Sequence, residues 1–150
     1  MAVDIASVSY VLASLSSMSD LIQRYSEYRA RSVDPSQGEL QDVINEVEKN
    51  EKELQETYEQ SSDLSRAMAQ NASDEIIDIL KENVHNSKER IKRIYKNTGM
   101  PHDEKDRQLH AQSKDICWTI AHIYKLVGGP LDDDLEQLWL MLDCDIYGFI

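Results

Sequence analysis

The chain has 150 residues, enough for one domain with a sizeable core. It carries 28 acidic and 16 basic residues, for a formal net charge of −12. This balance repels nucleic acid and anionic lipid. The composition therefore argues against a direct nucleic-acid or membrane-surface binder and favours a partner with a basic surface.

The N-terminal stretch MAVDIASVSYVLASLSSMSD is apolar, but it lacks a leading basic segment, contains Asp4 and is interrupted by serines. These features differ from those of an export signal. No uninterrupted apolar run approaches the roughly 20 residues of a membrane-spanning helix. Cys117 and Cys144 each lie in an apolar run, which predicts two buried free thiols rather than a disulfide and thus a cytoplasmic protein.

Breaks rich in Pro, Gly, Ser and Asn separate long segments that have helical periodicity and no alternating strand pattern. The segments predict five helices, at 3–31, 36–70, 74–97, 102–127 and 131–147. We therefore expect an all-α bundle of about five helices in a single domain, 1–150. The one candidate for a sub-boundary lies at 97–101, between helices 1–3 and helices 4–5.

The first two predicted helices have different polar patterns. The first has an apolar stripe that includes Val8, Leu15 and Ile22, with serines opposite. The second has a coiled-coil-like seam that is interrupted by Glu51 and is partly polar. As one continuous helix it would run for about 50 Å. That length predicts a homodimer through a self-pairing helix or an elongated monomer with a projecting helix. The alternative is a bundle helix with a solvated end.

The third predicted helix contains Glu82 and His85, the Glu-x-x-His step that supplies ligands in di-metal bundles. With a 100° turn per residue, the pair points away from the apolar side, and the chain has no second such step. We therefore expect a solvated charged face. The basic run Lys88–Lys96 is expected to complement the helix end and neighbouring acidic helices, with phosphate contact as the alternative.

A second acidic pattern consists of Glu56-x-x-Glu59 followed by Glu75-x-x-Asp78. It is similar to the signature of the all-α nucleotide pyrophosphohydrolases, in which carboxylates on two neighbouring helices hold Mg²⁺ against a nucleotide's phosphates. The resemblance covers these four positions and implies a Mg²⁺-dependent hydrolase as an alternative function. However, Glu56 and Asp78 point away from the apolar stripes of their helices, and we expect no metal or other cofactor.

The last fifty residues provide the predicted binding surface. Trp118 lies about 180° from Leu109 on the fourth predicted helix, and the final helix is apolar nearly all round with only negative charges. Aromatic residues surrounded by charge are typical of interface hot spots. The predicted partner-binding residues are Trp118, His122, Trp139, Leu140, Asp143 and Tyr147. The alternative is that these aromatics belong to the core.

Together these patterns predict a non-enzymatic protein that binds another protein with a basic surface. Inhibitor, immunity and adaptor roles all fit this description. The alternatives are the Mg²⁺-dependent hydrolase and a self-assembling structural component that uses the second helix.

Overall fold

The structure is a computed structural model that describes residues 3–150; Met1 and Ala2, part of the predicted domain 1–150, lie outside the described residues. The described chain is all-α, as predicted. Its helices are α1 (Ile5–Ala30), α2 (Gln37–Ser61), α3 (Asp63–Asn71), α4 (Asp74–Lys96), α5 (His102–Ala111), α6 (Ser113–Val127), α7 (Asp133–Met141) and a C-terminal 3-10 helix (Cys144–Tyr147).

Three of the predicted helices are broken. The second becomes α2 and α3 because Ser62 is extended and its hydroxyl accepts the backbone N–H of Ser65, capping the new helix. The fourth becomes α5 and α6 at Gln112, whose N–H bonds the carbonyl of Leu109 in a tighter turn. The fifth ends at Met141. The single 50 Å helix, and with it the reason for a projecting or self-pairing second helix, is therefore wrong.

The helix boundaries follow local side-chain chemistry. Ser36 and Glu39 form a capping box at the start of α2. Ser73 caps α4 by accepting the N–H of Ile76. Gly128 ends α6 with a φ of 65°, the left-handed conformation that glycine adopts without strain.

The centre of the bundle is α1, which packs against each of α2 to α7. The buried core is continuous across the 97–101 break, because residues of α5, α6 and α7 join the same cluster as those of α1 and α4. Within residues 3–150, α1 is the one helix long and apolar enough to cross a bilayer, and 67% of its most apolar stretch is buried inside the bundle. Its apolar character thus matches its central position.

Four of the seven serines of α1 are buried, although the sequence places serines opposite the apolar stripe. Because helices surround α1, its buried residues include Ser9, Ser14, Ser17 and Ser19. Ser9 satisfies its hydroxyl locally by donating to the carbonyl of Ile5 at 2.7 Å. Ser14 and Ser17 bond side chains of other helices, whereas the hydroxyl of Ser19 is buried without a partner among the described residues.

A buried ion pair between Lys88 and Glu51 supplies the hydrogen-bond partners of Ser14 and Ser17. Lys88 of α4 is 5% exposed, and its Nζ lies 2.9 Å from Oε1 of Glu51 and 3.1 Å from Oγ of Ser14. Ser17 donates to the same Glu51 oxygen at 2.8 Å. The ammonium also lies 4.3 Å from the ring centroid of Tyr10. The polar interruption at Glu51 is therefore the point at which α1, α2 and α4 are joined.

We predict that Lys88→Met lowers the free energy of unfolding by about 3 kcal/mol, because it leaves the Glu51 carboxylate without its cation. Adding Glu51→Leu should recover most of that loss, since Ser17 can then donate to the carbonyl of Ser14. Lys92 is the matched control: its partner Glu48 is half exposed, so Lys92→Met should cost about 1 kcal/mol or less. Urea unfolding measures all three. Equal losses for Lys88→Met and Lys92→Met would contradict the structural role of the buried pair.

Two buried tyrosines give a second prediction. The hydroxyl of Tyr58 is buried without a hydrogen-bond partner among the described residues, whereas that of Tyr95 donates to the carbonyl of Leu21. An unpaired buried hydroxyl costs about 1–3 kcal/mol. Tyr58→Phe should therefore raise the melting temperature and Tyr95→Phe should lower it, as measured by calorimetry. Shifts of the same sign in both variants would show this assignment of the hydroxyls to be incorrect.

Candidate functional site

The Glu82–His85 step lies on the exposed surface of α4. Nδ1 of His85 is 3.0 Å from the hydroxyl of Tyr10, so the ring is held by a phenol of α1. Among residues 3–150, no three His, Cys, Asp or Glu side chains lie where they could share a metal ion. The structure thus places the step on a charged surface, as its direction on the helix indicated.

The four carboxylates of the hydrolase alternative are also exposed: Glu56, Glu59, Glu75 and Asp78. Glu56 and Glu59 lie near the end of α2, and Glu75 and Asp78 lie in the first turns of α4. They are not part of a metal-binding group in the described chain. The structure does not bring this signature together as an ion site.

The buried Ser14–Lys88 pair has the atom types of a Ser–Lys catalytic dyad. A lysine base has to be uncharged, but Lys88 is ion-paired to Glu51. Ser14 is fully buried, and the adjoining space, lined by Ser17 and Glu51, measures only about 40 Å³. The arrangement holds helices together and leaves no room for a substrate.

Lys105 of α5 is also buried, at 1% exposure. Its Nζ donates to the backbone carbonyl of Tyr95 at 3.1 Å, and Gln37 donates to the same oxygen. That carbonyl belongs to the last turn of α4, where helix carbonyls lack intrahelical partners. Burial lowers the pKa of Lys105 below the ordinary lysine value. We assign Lys105 to capping α4.

Three of the five cations in the basic run of α4 pair with carboxylates of neighbouring helices, as the sequence predicted for the run. Besides Lys88, Lys92 binds Glu48 of α2 at 2.7 Å. Arg90 binds Asp115 of α6 at 3.0 Å. These contacts direct the cations of the run toward carboxylates of the same chain.

Trp118 lies in a groove between α4 and α6. It is half-buried and packs against His122, with ring centroids 3.8 Å apart and the ring planes tilted by 34°. One end of this α4–α6 groove is apolar, with a volume of about 480 Å³, and includes Ile76, Ile79 and Leu126. Trp118 was expected to point away from the core stripe, and it lines the surface between two helices.

Trp139 lies in a different groove at the C-terminal end of the chain, with a volume of about 420 Å³. Its Nε1 donates to Oδ1 of Asp145 at 2.9 Å. The residues that line this C-terminal groove are Tyr124, Leu131, Glu136, Trp139, Leu140, Asp145 and Ile150. It therefore combines side chains of α6, α7 and the C-terminal segment.

The six predicted binding residues thus belong to two surfaces rather than one. Trp118 and His122 line the α4–α6 groove, whereas Trp139 and Leu140 line the C-terminal groove. Tyr124, which α6 contributes to the second groove, is about 120° around the helix from Trp118. Of the other two residues, Asp143 is exposed, and Tyr147 stacks on Phe149.

The two cysteines form a disulfide, Cys117–Cys144, so the prediction of buried free thiols is wrong. The pairing depends on a helix end that the helical periodicity of the sequence does not reveal. α7 ends at Met141, and Asp143 adopts a φ of 54°, a left-handed conformation in which Asp is enriched. The chain then turns back, and Cys144 reaches Cys117 on α6.

No protein-family model matches the chain, and neither a curated protein nor a solved structure matches it.

We predict that a dithiol reductant lowers the free energy of unfolding by about 3–4 kcal/mol, because the disulfide closes a loop between cysteines 27 positions apart. Denaturant unfolding with and without reductant measures the difference. The double variant Cys117→Ala/Cys144→Ala is the control and should not respond to the reductant. Two thiols that titrate in the unreduced, denatured protein would contradict the disulfide.

Proposed function

We propose that this protein works by binding another protein, and that the C-terminal groove receives a partner surface with apolar anchors and basic flanks. The observation that carries the proposal is the coincidence of exposed apolar side chains with one sign of charge. Leu140 is 72% exposed, Ile146 68% and Ile150 61%. Clustered apolar exposure of this kind marks interaction sites.

The charge around the groove indicates that the partner's binding surface is positively charged. Residues 131–150 include six acidic side chains and no Lys, Arg or His. Glu136 and Asp145 line the groove itself. A surface with only negative charge repels acidic proteins and attracts basic ones, and it accelerates their encounter.

The aromatic anchor is held in place before any partner arrives. Trp139 is half-buried and its indole N–H is fixed by Asp145. The residue before Asp145 is Cys144, which the disulfide ties to α6. A surface that is already ordered loses less conformational entropy on binding than a flexible one.

Binding of this kind covers the partner's basic surface. This is the mode of action of an acidic inhibitor or immunity protein, and an adaptor would use the same contact. The hydrolase alternative gains no support from the geometry, because its four carboxylates do not converge. Action in the cytoplasm stays a prediction, and the disulfide removes the free-thiol argument on which it was based.

The test is affinity capture from the native cell extract on the immobilised protein, followed by kinetic binding measurements with the purified partner. Leu140→Ala should increase the dissociation rate and cost about 2 kcal/mol of binding. Its own melting temperature should not change, because Leu140 is exposed. Glu136→Gln should mainly slow association, and its effect should shrink as salt screens the charge.

Ile79→Ala, an equally conservative truncation of an exposed apolar residue in the α4–α6 groove, is the matched control and should bind normally. Support requires a captured protein with a basic surface that discriminates Leu140→Ala from Ile79→Ala. Equal affinity for both variants, or a partner with an acidic surface, would overturn the proposal.

A further inference from the structure

The α4–α6 groove is a second unpartnered surface, separate from the C-terminal groove. Ile76 is 42% exposed and Ile79 is 51% exposed. Both lie beside Trp118 and Leu126 at the apolar end of the groove. From Ile76 to Arg90 the helix rises roughly 21 Å, so the surface is long enough for contact with another folded protein.

Charge distinguishes this groove from the C-terminal one. Lys125 lines its apolar end, while Glu75 and Asp78 are exposed on the adjoining part of α4. Both signs are therefore present. A second copy of the chain, with a net charge of −12, is repelled by the uniformly acidic C-terminal surface but meets complementary charges here.

The polar end of the groove favours the same occupant. Asn83 and Asn86 line it, and Asn86 is exposed. An amide both donates and accepts, so it can pair with the same amide of a second copy. Arg90 at this end is already bound to Asp115, Ser87 and Gln112, which leaves little capacity for an anionic ligand.

We propose that the α4–α6 groove is the interface of a homodimer. In a two-fold symmetric dimer every contact occurs twice. Ile76 and Ile79 of each protomer then pack beside Trp118 of its partner, and the acidic first turns of α4 face Lys125. This places self-association on α4 and α6 rather than on the second helix, which the sequence had suggested.

The test is the mass of the full-length protein in solution, measured by light scattering and analytical ultracentrifugation over a concentration series. The chain weighs 17.3 kDa, and the wild-type protein should reach twice that mass. Ile79→Glu should remain a monomer at every concentration, because it puts an unpaired charge at the centre of the interface. Its melting temperature at dilute concentration should equal that of the wild-type monomer, since Ile79 is exposed.

Leu140→Glu is the matched control: it places the same charge on an exposed residue of the C-terminal groove and should remain a dimer. Three results would overturn the proposal. These are a wild-type protein that is still a monomer at about 1 mM, a dimer that survives Ile79→Glu, and a dimer that both variants dissociate. Failure of this proposal leaves partner binding through Leu140 untouched, so the two proposals are tested separately.

Discussion

The central position of α1 is the constraint on which the rest of the bundle depends. A polar side chain that the surrounding helices cover loses its contact with water, so it is stabilised by a hydrogen-bond partner inside the protein. Ser14 and Ser17 are satisfied by Lys88 and Glu51. Because these come from α4 and α2, the hydroxyls of one helix fix the positions of two others. The buried ammonium of Lys88 is tolerated because both Glu51 and Ser14 bond to it.

The sequence was sufficient for the fold class and for most apolar stripes, since helical periodicity reflects which side chains meet the core. It was insufficient for the serines of α1. Serine is small and can bond its own helix, as Ser9 does with Ile5, so the residue type suits an exposed face and a buried one equally. Glu51 was recognised as an interruption, but its meaning depends on Lys88, which lies 37 positions away.

For the candidate surfaces, too, the sequence predicted features that depend on neighbouring residues but not those that depend on distant ones. The 100° step placed Trp118 away from the core stripe, and it lies in a groove. The final helix was extended too far, because Asp143 carries no glycine-like signal for the left-handed turn that it makes. That turn directs Cys144 to Cys117. A pairing between two distant positions is visible only after the intervening chain has been folded.

The central position of α1 also has a consequence for the order of events during translation. α1 is synthesised before all the helices that surround it, and α7 follows roughly 5 to 20 s later at ordinary rates of elongation. During this interval an apolar helix is exposed to water and to other nascent chains. Serine at positions such as Ser14 and Ser19 makes the helix less apolar than leucine or valine would. The buried serine hydroxyls of α1 therefore reduce its tendency to associate with other apolar segments while the remaining helices are being made.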